Sequence, residues 1–416
     1  MSYFSEFKIN WRSLMATFIG IGTGSAIGHY TLSLFGPELI NEFGWSKADY
    51  ALVGSLQIFT LLFTPFAGRF TDRFGVKIAA SIGFAAMSLG FFAYSIMSGS
   101  IVEFFAIWVV QHIFGVLSTS LVFSRLIVEQ FDRARGSALA LLMTAPPLVG
   151  AIMAPIIAVV INAEGWRTAF VMLGVISAVG GIICVTFMAR AKKRGDKAAD
   201  GSPILDVHLS RQELWALMKT RTFMLLVGGM ALINLPQVFA SSQLKLIVLA
   251  QGITDQLATW MVSLYAIGVI VGRVIFGLAL DRIKANYVAL FALSLPAIGF
   301  VILASSVSLV WLLAGAVLII GIAQGAEGDI GGYLISRHFS LKNYSLILGF
   351  VKAGLDGGGA IGALILSFTL RISDSYVPFL IIVSVSTLLG AICFFLTGPG
   401  RQYESPSEPM LATEAA

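Results

Sequence analysis

The chain has 416 residues, 57% of them hydrophobic and only 12% charged, with a mean hydropathy of +0.89. A soluble domain carries about 25% charged residues, so only half the charge needed to wet a protein surface is present. Disorder, a nucleic-acid-binding domain and a secreted disulfide scaffold are excluded together. The net charge of +5 is gathered on no soluble domain. Cys184 and Cys393 each sit in an apolar run without metal-ligand spacing, and read as small buried hydrophobes. The composition is that of a polytopic membrane protein.

A spanning helix needs roughly 20 mostly apolar residues. In chain order such windows fall at 14–36, 48–67, 77–97, 101–125, 136–161, 167–189, 222–249, 255–280, 286–306, 309–336, 345–370 and 376–397. Outer-membrane barrels alternate apolar and polar residues instead. The first window is too long for a cleaved signal core, and no small-x-small site follows it. With both termini in the cytoplasm, the cytoplasmic segments hold 21 Lys and Arg and the external loops 3, with 3 more inside spans. That asymmetry fixes the expected orientation.

One composition break, rich in Lys, Arg, Asp and Gly, splits the windows six and six. The expected organisation is a six-helix half over 1–189, a cytoplasmic linker over 190–221, a second half over 222–397 and a cytoplasmic tail over 398–416. Within the linker, Leu209 to Leu217 reads either as an amphipathic surface helix with Trp215 at the interface or as a solvated connection.

The halves repeat. Gly68-Arg69-Phe70-Thr71-Asp72-Arg73 after span two returns 209 residues later as Gly277-Leu278-Ala279-Leu280-Asp281-Arg282. The same offset relates Gly181-Ile182-Ile183-Cys184 to Gly390-Ala391-Ile392-Cys393, and Ser124-Arg125 returns at 212 as Ser336-Arg337. Parallel repeats about an axis along the membrane normal are how some transporters build alternating access, with substrate held between halves.

Gly68-x-x-x-Asp72-Arg73-x-Gly75-x-Lys77 resembles the signature after the second helix of the major facilitator superfamily, and its degenerate copy lies where that family has one. Phe43-Gly44-Trp45-Ser46, Gly165-Trp166-Arg167 and Phe131-Asp132-Arg133-Ala134-Arg135-Gly136 resemble its monocarboxylate porter and oxalate–formate antiporter branch. Two departures stand out: the first helix carries Gly28-His29-Tyr30, and span five carries Ala145-Pro146-Pro147 where glycines are expected. The resemblance implies an all-α fold of twelve transmembrane helices in two pseudo-symmetric halves. It also implies a cytoplasmic latch at Gly68, Asp72, Arg73, Arg125, Asp281 and Arg282.

Charge at the bilayer centre costs about 2.5–3.5 kcal/mol on insertion scales, so such residues face the bundle interior. Arg273 in span eight offers a planar fork for a carboxylate, and Lys352 in span eleven offers a second cation. This pair resembles the carboxylate-binding arginine and lysine of the oxalate–formate branch. The structural alternatives are an Arg273 ion pair with Glu327 or Asp356, and a Lys352–Asp356 pair four residues apart on one helix face. His29, Tyr30, Asn234 and Gln237 complete the candidate substrate residues, Pro236 loosening the backbone of span seven. Glu327, Asp329 and Asp356 are the candidate proton carriers. Desolvation favours a neutral carboxyl and a nearby cation opposes it, so an anion arriving at that cation would change proton occupancy. His29, a group that titrates near neutral pH when unperturbed, is a further candidate. His112 reads as a satisfied buried histidine, and Lys245 as snorkelling to the interface. Glycines around Asp356 read equally as hinges or close packing.

No phosphate-cradling loop, serine elbow or HExxH spacing is present, so neither catalysis, a metal nor a cofactor is expected. The sequence thus predicts a monomeric multi-pass transporter of the cell membrane for small organic carboxylates, monocarboxylate or aromatic acid, coupled to protons. The alternatives are oxalate–formate-type organic anion exchange and export of another small solute.

Overall fold

The structure, a computed structural model, describes residues 3–131, 134–188, 211–305, 307–339 and 344–398. The predicted linker before Arg211, the tail beyond Gly398 and the Asp132-Arg133 piece lie outside the described residues. The first set of helices is α1 (Tyr3–Thr23), α2 (Ser25–Phe43), α3 (Lys47–Ala51), α4 (Gln57–Phe74), α5 (Val76–Ser95), α6 (Ile101–Gly115), α7 (Ser120–Gln130), α8 (Arg135–Glu164) and α9 (Trp166–Phe187). A short helix, α10 (Arg211–Met218), then presents Trp215 outward. The second set is α11 (Arg221–Asn234), α12 (Leu244–Leu249), α13 (Asp255–Leu280), α14 (Ala285–Ala304), α15 (Val310–His338), α16 (Tyr344–Ser373) and α17 (Val377–Leu396).

Among the described residues, 11 helical segments are long and apolar enough to cross a membrane. The predicted span 14–36 is not one of them: α1 and α2 meet at a break at Gly24. A Cβ there would stand 2.7 Å from both the carbonyl and the hydroxyl oxygen of Ser118. That hydroxyl accepts the Ser25 amide at 3.0 Å. Ser118 ends the 3-10 turn that divides α6 from α7, so two helix breaks support each other. A third lies in span seven, where α11 stops before Leu235-Pro236 and a π-helical turn covers Phe239–Gln243. Broken helices free backbone and side-chain polar groups where they line a cavity.

The two sets share one apolar core near Asp49, joining Leu34, Phe35 and Tyr50 to Leu246, Phe239 and Leu366. Toward Asp72 the cores are separate, one around Phe84, Phe123 and Phe131, the other around Phe276, Ile330 and Phe394. Apolar burial is thus shared between the sets at the Asp49 end and separate in each at the Asp72 end.

Two of the motif pieces, Phe43–Ser46 and Gly165–Arg167, lie at the end where the core is shared. Ser46 caps α3 by accepting the Asp49 amide at 2.9 Å, and Asp49 takes an ion pair from Arg371 across the two sets. Trp166 and Arg167 both donate to Glu42, and the Arg167 guanidinium lies 4.2 Å from the Trp166 ring centre. These bonds hold the Glu42 carboxyl below the ordinary carboxylate range, so their contribution is present at neutral pH and lost as acid takes Glu42 through that lowered value. An exposed ion pair is worth about 0–1 kcal/mol. Arg371→Gln is therefore expected to shift the balance between open and closed forms at this end by about fivefold at most. Labelling of single cysteines along α3 and α16 would measure it, and a shift of a hundredfold would show that Arg371 does more.

Candidate functional site

A cavity of about 420 Å³ lies between the two sets, lined from one side by His29, Tyr30, Gln57, Trp108 and His112, and from the other by Gln237, Ser242, Arg273, Lys352 and Asp356. The α1–α2 break, the α6–α7 break and the π turn all border it, supplying Ser25, Thr119, Ser241 and Ser242.

Arg273 reaches the cavity because α13 and α15 approach closely. A Cβ on Gly272 would come within 1.8 Å of the Ile322 carbonyl, and one on Gly325 within 2.0 Å of the Val269 carbonyl. This contact of small residues brings the Asp329 carboxylate within 3.4 Å of the Arg273 Nε. The predicted structural partners, Glu327 and Asp356, are not the ones chosen. The reason is helix phase: Asp329 faces α13, while Glu327 turns inward. Arg273 Nη1 also donates to the Met143 carbonyl on α8, in the opposite set. Its Nε is buried and has no hydrogen-bond partner, so the fork is incompletely satisfied.

Lys352 lines the cavity, and among the described residues no carboxylate oxygen stands within 4.0 Å of its ammonium. The Lys352–Asp356 pair allowed by four-residue spacing is therefore not closed, although both side chains face the same space. Close packing explains part of the glycine run around them. A Cβ on Gly354 would be 2.7 Å from the Val227 carbonyl, and one on Gly358 2.2 Å from that of Ala231, whereas Gly357 has room.

Glu327 lies outside the cavity lining, only 5% exposed, and accepts Gln324 Nε2 at 2.6 Å. Asp329 is half exposed and borders a separate groove with Asp281, Tyr333 and Ser336 toward the Asp72 end. The three predicted proton carriers thus occupy three environments: enclosed, paired, and cavity-facing.

Several predicted positions are corrected. Asn234 is buried away from the cavity and donates to the Met230 carbonyl at 3.0 Å, because α11 is still regular there. Lys245 does not snorkel; it is 1% exposed, with Nζ 2.7 Å from Asp255 just beyond the following turn. His112 has the hydrogen-bond partner expected of a satisfied histidine, but its place is the cavity wall. It lines the cavity with its ring stacked on Trp108, centres 3.8 Å apart, and its Nδ1 lies 3.0 Å from the Trp108 carbonyl. That acceptor places a proton on Nδ1. The four-residue spacing of Trp108 and His112 was the sequence signal for this shared face. The candidate residues His29, Tyr30 and Gln237 stand in the lining, with the His29 and Tyr30 rings edge to face at 5.1 Å.

Of the latch residues, Asp72 and Arg125 form an ion pair between α4 and α7. The Arg73 guanidinium lies over Phe74, 5.3 Å from its ring centre. Asp281 borders the groove near Asp329, and a Cβ on Gly68 would touch nothing. Among the described residues, no group of three His, Cys, Asp or Glu side chains is placed to hold a metal ion.

The sequence profile of the Major Facilitator Superfamily matches residues 15–250 and 238–414. The agnestins efflux protein AgnL12 of Paecilomyces divaricatus is 23% identical over 400 residues, covering 92% of this chain and 85% of the relative. A putative glycerol-3-phosphate transporter of Arabidopsis thaliana is 24% identical over 384 residues, covering 79% and 71%. In fold, the nucleoside transporter NupG superposes with a TM-score of 0.75 at 12% identity, over 93% of this chain and 99% of that one. A D-xylose–proton symporter gives 0.69 at 15% identity, over 96% and 100%.

Proposed function

We propose that this chain, which belongs to the major facilitator superfamily, carries small organic monocarboxylates by alternating access coupled to protons. It is a multi-pass membrane transporter and not an enzyme; the cargo, the coupling ion and the orientation are our reading. We take 1–189 and 222–397 as the rocking halves, 190–221 and 398–416 as cytoplasmic linker and tail, and the cell membrane as the location. The Asp49 end then faces outward and is closed, and the Asp72 end faces the cytoplasm.

The observation that carries this reading is one cavity lined by an incompletely paired arginine and by an ammonium that, among the described residues, has no carboxylate oxygen within 4.0 Å. A desolvated cation calls for an anion. Arg273 is already met by Asp329, and Asp356 lies in the same space as Lys352. Two cations thus face two carboxylates, so a bound anion is balanced only when one of those carboxyls takes up a proton, which favours a monocarboxylate carried with a proton over a dianion. Trp108, His112 and Tyr30 give the opposite wall an aromatic face for the organic part.

Benzoate and lactate are expected to raise the melting temperature of the purified protein while benzamide and lactamide do not. A ligand at about 100 times its Kd stabilises the folded state by about 2.7 kcal/mol. Stabilisation by a nucleoside, xylose or glycerol 3-phosphate and by no carboxylate would overturn the reading.

Lys352 offers a separate check. Breaking one partner of a buried pair costs about 3–5 kcal/mol, but here the pair is not closed. Lys352→Met is expected to keep the melting temperature within a few degrees and to weaken benzoate binding at least tenfold, about 1.4 kcal/mol. Lost folded yield, restored by adding Asp356→Leu with full binding, would return Lys352 to the scaffold.

A further inference from the structure

We infer that the backbone carbonyl of Met143 is an internal ligand of Arg273 that the substrate carboxylate displaces, and that Pro146 and Pro147 keep this carbonyl free. The inference rests on the reading of Arg273 as the carboxylate site and gives that site its empty-state partner.

In an α-helix the Met143 carbonyl accepts the amide of residue 147, and in a tightened 3-10 turn that of residue 146. Both residues are proline, inside the continuous helix α8, and neither has an N–H. One proline would leave the carbonyl its alternative donor; two in succession remove both. The ring of Pro147 also clashes with the carbonyl four residues before it, pressing that oxygen out of the helix. Arg273, on α13 in the opposite half, donates Nη1 to it. Met143, Pro146, Pro147 and Arg273 all line the cavity.

The bond is suited to being replaced. Arg273 Nε has no hydrogen-bond partner although Asp329 stands at 3.4 Å. The carbonyl is neutral and offers Arg273 a single bond, whereas a carboxylate accepts two parallel N–H bonds with charge assistance. A substrate carboxylate therefore takes the fork from Met143. The exchange breaks a bridge between α8 and α13, hence between the halves. Empty protein is held in this conformation and loaded protein is released. Net uptake, which requires the empty carrier to return, should then run slower than exchange of substrate across the membrane.

Pro147→Ala restores the missing amide, and alanine is favoured over proline by about 3 kcal/mol in a helix interior. The test uses the full chain with Cys184→Ala and Cys393→Ala, and spin labels at Lys77→Cys and Lys284→Cys, one on each half. Without ligand, Pro147→Ala should broaden the interspin distances. It should also tighten benzoate binding about fivefold or more and raise net uptake relative to exchange. Unchanged distances together with unchanged benzoate affinity would overturn the inference, including where benzoate binding in the wild type does require Arg273. Broadened distances in a protein that binds no carboxylate would keep the bridge and remove the carboxylate reading instead. Pro146→Ala returns the 3-10 donor and carries the same expectations, so poor folding of one variant leaves the other to decide.

Discussion

Arg273→Lys is expected to lower carboxylate uptake at least tenfold while the protein still folds. Lysine keeps the charge but replaces a rigid fork of five donors with one flexible ammonium. That ammonium has to serve the Asp329 carboxylate, the Met143 carbonyl and the substrate in turn, where the guanidinium spans Asp329 and Met143 together. A lost charge-assisted hydrogen bond is worth about 1.5–3 kcal/mol, so the loss should lie between about tenfold and a hundredfold. Folding is spared because Asp329 is half exposed and water can solvate it when its partner changes. Uptake of radiolabelled benzoate into proteoliposomes, beside the melting temperature, separates these effects. Normal transport by both Arg273→Lys and Arg273→Ala would place the substrate site elsewhere.

The features legible in the sequence depend on composition and short spacing. Eleven of the predicted spans recur as helical segments because a run of apolar residues reports its solvent directly. Gly75 and Gly165, both in motif pieces, begin α5 and α9 with φ of 89° and 86°, where side chains are strained. Arg273 and Lys352 stood out because charge in a span is costly, and both line the cavity. Contacts between helices were not legible. The break at Gly24 depends on Ser118, 94 positions later, and a lone glycine between apolar residues does not announce it. Choosing Asp329 over Glu327 for Arg273 needed the phase of α15 against α13, which the facing glycines set. Lys245 was misplaced because burial by α2 and α13 cannot be read from its own helix, whose end alone implied an interface. The prolines of α8 were visible as a departure, but their use emerges only when an arginine from the other half meets the freed carbonyl.

The second large effect concerns coupling. Glu327→Gln should abolish uptake driven by a pH gradient while leaving exchange of substrate largely intact. Glu327 is the most enclosed of the intramembrane carboxyls considered, and its oxygen accepts the Gln324 amide at 2.6 Å. Glutamine has the same shape and offers a carbonyl oxygen to that amide, so the local packing persists. What it lacks is the ability to gain and lose a proton. Exchange requires only that the loaded carrier reorient, and this needs no change at Glu327. Net uptake requires the empty carrier to return with its proton released, and a permanently neutral group cannot carry that proton. The variant should therefore exchange benzoate across a proteoliposome membrane yet fail to accumulate it when the outside is acidified. Loss of both activities, or of neither, would remove Glu327 as the carrier. Asp356, which faces the cavity, Asp329, which faces Arg273, and His29 would then be substituted in the same assay.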